Sequence, residues 1–156
     1  MTTSRRTTMF AKILIPVELS DHPQQALELA MTLGRPETTE VMLLYVVEPR
    51  PRLALEDEDD LKEDFLDRYG ALVHRAHARL GRLLASLAAR GIPGRGAVAY
   101  GHRGETILRI AQETAADLII LPPVESAAQH NGCGAAPVRA EVAAYARCPV
   151  LLLAAP

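Results

Sequence analysis

Two histidines, His74 and His77, stand three residues apart. On a helix that spacing puts two imidazoles on neighbouring positions of one face and could begin a metal site. No third ligand has a fixed place in the chain, and the interleaved Arg75, Arg79 and Arg82 would repel a cation. The pair therefore reads as part of a solvated helix face. His130 and Cys133 show the H-x-x-C spacing of half a zinc site, with Cys148 as a further thiolate if the loop folds back. Complete four-ligand spacing is absent, so this segment reads as loop. Cys148, just before Pro149, reads as a small buried filler. Ser20 and Ser126 are the available loop serines, and neither lies in a G-x-S-x-G elbow that would expose a nucleophile. Ser20 is better explained as a helix cap. The EDEDD run at 56–60 lacks the spacing and glycine turn of a calcium loop. No nucleophile, acid–base pair or metal set emerges, so the expectation is a protein without catalytic or metal-ligating residues.

Three features keep a binding role open. In GHRGET, residues 101–106, His102 and Arg103 precede a helix whose N-terminal dipole favours an anion; the same residues also read as a plain helix start. In HNGCGAAP, residues 130–137, Gly132 and Gly134 would let the backbone approach a phosphate, or simply form a surface loop. Glu18 follows a strand-like apolar run, and a carboxylate there is costly to bury unpaired, so it reads as the rim of a pocket.

These residues need a scaffold, and the apolar pattern supplies one. KILIPV at 12–17 and VMLLYVVE at 41–48 are continuous aliphatic runs without polar alternation, as expected of parallel strands buried on both faces. Between them, Ser20 and Asp21 offer N-cap oxygens, Pro23 suits a first helical turn, and Ala26, Leu27, Ala30, Met31 and Leu33 form a stripe that ends at Gly34. The acidic stretch after Pro49 reads as an exposed connection. From Leu61 to Leu87 apolar residues recur every three or four positions, predicting a long amphipathic helix closed by Gly91 and Pro93, with Arg90 favourable to its dipole. A weaker strand at 96–100, a helix ending at Asp117, a strand at 118–121, an irregular segment at 122–136, a short helix at 137–146 and a strand at 149–153 complete the chain. Strands alternating with helices predict an α/β three-layer open sandwich, with a five-stranded parallel sheet and four helices, flavodoxin- or Rossmann-like.

The chain has 156 residues, 49% of them hydrophobic and 23% charged, which suits a single domain over 11–155 after a flexible segment at 1–10. Its 17 basic and 19 acidic residues leave no strong field for nucleic acid. No apolar run approaches the roughly 18 residues that span a bilayer, and no signal-peptide core follows the first residues. With two cysteines and no disulfide framework, the expected compartment is the cytoplasm.

In the order of these elements, and in KILIPVELS, ADLIILP and ARCPVLLL, the chain resembles the universal stress protein family, whose first strand is usually written K-I-L-V-P-V-D-G-S and whose last is commonly H-A-P-C-P-V-L-V-V. The resemblance implies a stress-associated protein, often a homodimer paired through its final strands. It also implies ATP or AMP at the carboxyl ends of the strands, held by G-x-x-G and a later G-S or G-T after the fourth strand. Backbone N–H groups and the last helix N-terminus would bind the phosphates.

This sequence departs from that pattern where it matters most. Leu121, Pro122, Pro123, Val124, Glu125 and Ser126 stand in place of M-G-S-x-G, and Ala136 and Pro137 replace G-S. Proline donates no N–H, Glu125 repels phosphate, and Glu18 stands at the usual aspartate. A crevice lined by Pro16, Glu18, Tyr45, Val46 and Leu121 remains open as an adenine site, with Val46 and Leu121 equally readable as core. The expected ligand contacts are Pro16, Glu18, Val46, Leu121, Gly132, Gly134 and Val138. The expectation is a non-enzymatic regulatory module working with an unknown protein partner, its homodimer made through residues 149–154, with ATP binding weakened or lost. The alternative is an ATP- or AMP-binding sensor, with slow hydrolysis, that uses the glycines of a shifted loop.

Overall fold

The computed structural model describes residues 9–18, 23–48, 60–123 and 135–155. Nine elements follow one another as β1 (Lys12–Pro16), α1 (Gln24–Leu33), β2 (Glu40–Val47), α2 (Asp60–Ala88), β3 (Gly94–Tyr100), α3 (Arg103–Glu113), β4 (Leu118–Leu121), α4 (Ala135–Tyr145) and β5 (Val150–Leu152). The strands form one parallel sheet in the order β3-β2-β1-β4-β5. Ser20, Asp21, residues 56–59 of the acidic run and residues 1–8 of the expected flexible segment lie outside the described residues.

Side chains of a strand alternate between its two faces, and that alternation builds the layers. Ile13, Ile15, Val41, Leu43, Leu118 and Ile120 face α1 and α2, which bring Ala26, Leu27, Ala30, Leu80, Leu83 and Leu87 to them. Leu14, Leu44, Val46, Ile119 and Leu121 face α3 and α4, which bring Ile107, Ala111 and Val142. Both faces are covered, so the strands carry no polar alternation; β4 is buried along its whole length. Each fully buried Leu or Ile contributes about 1.5–3 kcal/mol of transfer free energy. On α2 the stripe Ala76, Leu80, Leu83 and Leu87 is buried, and His74 and His77 lie exposed on its outer side.

Several boundaries differ from the sequence pattern for local reasons. β3 begins at Gly94, two residues early, because it pairs with Val41 while α2 lies close above it. A Cβ on Gly94 would stand 2.9 Å from a Leu84 methyl, so bare backbone lets the helix approach an edge strand that offers no apolar signal. Helix α1 starts at Gln24, with Pro23 as its cap residue and no side-chain cap bond. Helix α2 ends at Ala88, so Arg90 lies in the turn beyond it and no basic residue occupies the last turn. Helix α3 stops at Glu113 and turns through Ala115, which takes a positive φ of 52°. Asp117 is thereby released from any helical role; its carboxylate accepts from Ala11 N at 2.8 Å and Lys12 N at 3.0 Å. Helix α4 begins at Ala135, with Pro137 inside its first turn, where the missing N–H costs nothing.

The register sets the stage for a site. Pairing of β1 with β2 runs on to Pro16↔Leu44, and Val17 N then donates to Leu44 O at 2.8 Å, whereas pairing of β1 with β4 ends at Leu14↔Ile119. Bonding direction alternates along a strand, so the ring nitrogen of Pro16 faces β4, where it has no hydrogen to donate. The two central strands therefore part at their carboxyl ends.

Candidate functional site

The chain runs outward from β1 through β2 to β3, then restarts on the other side with β4 and β5. The gap between β1 and β4 is thus a topological switch point, where open α/β sheets place ligands. A cleft of about 460 Å³, largely open to solvent, lies there. Pro16, Val17 and Glu18 enter it from the end of β1, and Leu44 and Val46 from β2. Leu121, Pro122 and Pro123 come from the end of β4, Ile107 and Arg103 from α3, and Val138 and Arg139 from α4. The floor is apolar and all the charge is on the rim.

Arg103 organises one side of that rim. Gly101, at φ 140°, turns the chain sharply after β3, and His102 then serves as N-cap residue with extended backbone. This places Arg103 first in α3, where its N–H donates to Glu48 Oε1 at 2.8 Å. Its guanidinium pairs with Glu18 and lies 3.6 Å from Glu48 Oε2. All three side chains are less than a third exposed. The cluster ties the ends of β1 and β2 to α3, and Glu48 adds a negative charge at a helix N-terminus, which the dipole favours. Arg79 of α2 donates from Nε to Glu18 O at 3.1 Å, fixing the same corner.

Arg139 organises the opposite side. Its Nη1 donates to Leu121 O and Pro122 O, and its Nη2 to Leu153 O at 2.8 Å, so one guanidinium caps the carbonyls where β4 and β5 end. Burial pushes its pKa down, because a cation withdrawn from water loses solvation.

Pro16, Glu18, Val46, Leu121 and Val138 all meet at this cleft. Gly132 and Gly134 lie outside the described residues, as do Ser126, His130, Cys133 and Glu125. Tyr45 packs with the core under α1 and α2, one residue out of phase with Leu44 and Val46, so it belongs to the other face of the sheet. Its hydroxyl pKa is raised, first by burial. Cys148 is half-buried against the core under α3 and α4, and burial raises its thiol pKa. His102 is exposed at the helix start. Among the described residues no cluster of three or more His, Cys, Asp or Glu could hold a metal ion.

Glu48, Ile107 and Arg139 were not among the sequence-derived contacts. Glu48 closes a strand just as Glu18 does, which is a usable signal once the two strands are known to be neighbours. Arg139 carried none, since a lone arginine among alanines and valines reads as surface helix.

The fold, the switch-point cleft and the ordered strand motifs converge with a comparison against protein families, in which the Universal stress protein family matches residues 9–154. The chain belongs to that family. Among solved structures, this universal stress protein is similar to UspA from Lactobacillus plantarum, at 20% identity over 92% of this chain and 97% of that one, with a TM-score of 0.71. A family member from Burkholderia pseudomallei is 22% identical over 96% of this chain and 99% of its own, at a TM-score of 0.67. A family protein from Arabidopsis thaliana, solved with AMP bound, is 17% identical over 94% and 92%, at 0.63. At these identities the likeness is one of fold. A comparison with curated proteins finds no match.

Proposed function

We propose that this universal stress protein is a non-enzymatic regulatory module of the cytoplasm, acting as a homodimer with an unknown protein partner, in which the triphosphate hold of nucleotide-binding relatives is weakened or lost. One observation carries the reading. One side of the cleft mouth spends its charge internally, with Arg103 shared between Glu18 and Glu48, while Pro122 and Pro123 offer no N–H to a phosphate. A triphosphate needs several donors aimed at it, and Pro122 and Pro123, the described residues directly after β4, supply none. The dimer is supported by β5, a sheet-edge strand whose Leu152 is 48% exposed. Nucleotides released from heat-denatured protein, together with calorimetric titration of ATP and AMP, test the reading; tight ATP binding would overturn it.

A second reading has its own support. The apolar floor of the cleft is of a kind that takes a flat ring, with Glu18 placed to accept from a ligand N–H or O–H. A relative of the same fold holds AMP. On this reading the protein is an ATP- or AMP-binding sensor, possessing at most slow hydrolysis, whose contacts are Pro16, Glu18, Val46, Leu121 and Val138 together with Gly132 and Gly134.

A further inference from the structure

The two arginines of the cleft differ in one respect. Arg103 is neutralised by Glu18 and Glu48, whereas Arg139 pairs with no carboxylate among the described residues. Its three bonds all go to main-chain carbonyls and use Nη1 and Nη2 only. A guanidinium has five N–H donors, so Nε–H, which donates to none of the described residues, remains available on the edge it shares with Nη2. That edge is the one with which arginine grips two oxygens of a phosphoryl or carboxylate group. The guanidinium is also held in place in advance, because the three carbonyls come from the ends of β4 and β5 and cannot move without the sheet.

We propose that Arg139 is the anion-selecting residue of the cleft and that it recognises a single phosphoryl group, so that the ligand class is a nucleoside monophosphate. This rests on the nucleotide reading of the site and deepens it. One fixed cation satisfies one phosphoryl group. Further phosphates would lie beside Pro122 and Pro123, which lack N–H groups, and the other arginine of the cleft is already shared between two carboxylates. A chain of phosphates therefore adds charge without adding partners. An uncharged nucleoside keeps the apolar floor and loses the cation.

The full-length protein, without magnesium, is titrated calorimetrically with adenosine, AMP and ATP. AMP is expected to bind at least about tenfold more tightly than adenosine, as a charge-assisted pair warrants, and ATP no more tightly than AMP. Arg139→Gln is expected to erase the advantage of AMP and leave adenosine within about twofold of the original protein. Equal losses for adenosine and AMP in Arg139→Gln would show a merely structural arginine and overturn the assignment, as would a wild-type preference for ATP. Adenosine binding with no gain from the phosphate would overturn Arg139 alone; binding of none of the three would overturn the nucleotide reading with it. Should Arg139→Gln fail to fold, phenylglyoxal labelling of the unaltered protein, mapped by mass, gives the same decision. AMP is expected to protect Arg139 where adenosine does not, and equal labelling with both overturns the proposal.

Discussion

The two ends of the sheet solve the same problem in different ways. At the amino end, side chains close the exposed main-chain N–H and C=O groups: Asp117 accepts from Ala11 N and Lys12 N, Lys12 Nζ donates to Thr114 O at 3.2 Å, and buried Thr39 accepts from Arg35 N and donates to Phe10 O at 2.8 Å each. The space left there is about 220 Å³. At the carboxyl end, arginines cap carbonyls or pair with carboxylates around a cleft about twice as large. Local polar closure makes the first end a seam. Charge arranged around an apolar hollow leaves the second an open cleft.

Three changes separate those roles. Leu14→Ala, at a fully buried position central to both ends, is expected to cost about 2–5 kcal/mol by leaving a cavity, and chemical denaturation measures it. A loss that small-molecule binding does not share would show that the cleft is insulated from the core. Asp117→Ala strips two strand-start donors of their acceptor near the surface and is expected to cost about 1–2 kcal/mol, with ligand affinity unchanged. If affinity falls as well, the amino end is no mere seam. Arg103→Gln leaves Glu18 and Glu48 without their shared cation and is expected to cost roughly 1 kcal/mol, since the cluster is partly exposed and partly screened. High salt should shrink that difference, and a salt-independent loss would mean that packing, not charge, is at stake.

The smallest effect concerns Cys148. Burial raises its thiol pKa above the ordinary 9.0, with Asp117 adding to the rise. The folded state therefore favours the neutral thiol, and its contribution to stability is full below pH 9.0 and fades as pH climbs through the raised value. Alkylation of Cys148 at pH 8, followed by peptide mass, is expected to run several-fold slower than in urea. Equal rates in both states would remove the claim.

Much of the fold was legible because burial on both faces writes itself into a strand as unbroken apolar runs. KILIPV, VMLLYVV and LIIL could not be read as anything half-exposed, and the stripe on α2 has helical period throughout its buried part. The start of β3 was hidden because glycines carry no hydropathy signal, and the end of α3 because Asp117 resembles a helix terminus until its two N–H partners are seen. In the candidate site, strand-end residues such as Pro16, Glu18 and Val46 could be placed from sequence, since their position on a strand fixes their end of the sheet. Tyr45 shows the other half of that rule, for one step along the same strand moves a side chain to the opposite face.

The sequence by itself determined the class of fold, the order of its elements and the loss of N–H donors after the fourth strand, because all three are written in short-range patterns of burial and in proline's missing hydrogen. The tertiary structure alone decided which charges meet. Glu18, Glu48 and Arg103 lie as far as 85 positions apart along the chain, and Arg139 finds Leu121, Pro122 and Leu153 only where strand ends converge. Such partners are set by strand order and register, which fix distances in space that no local spacing encodes.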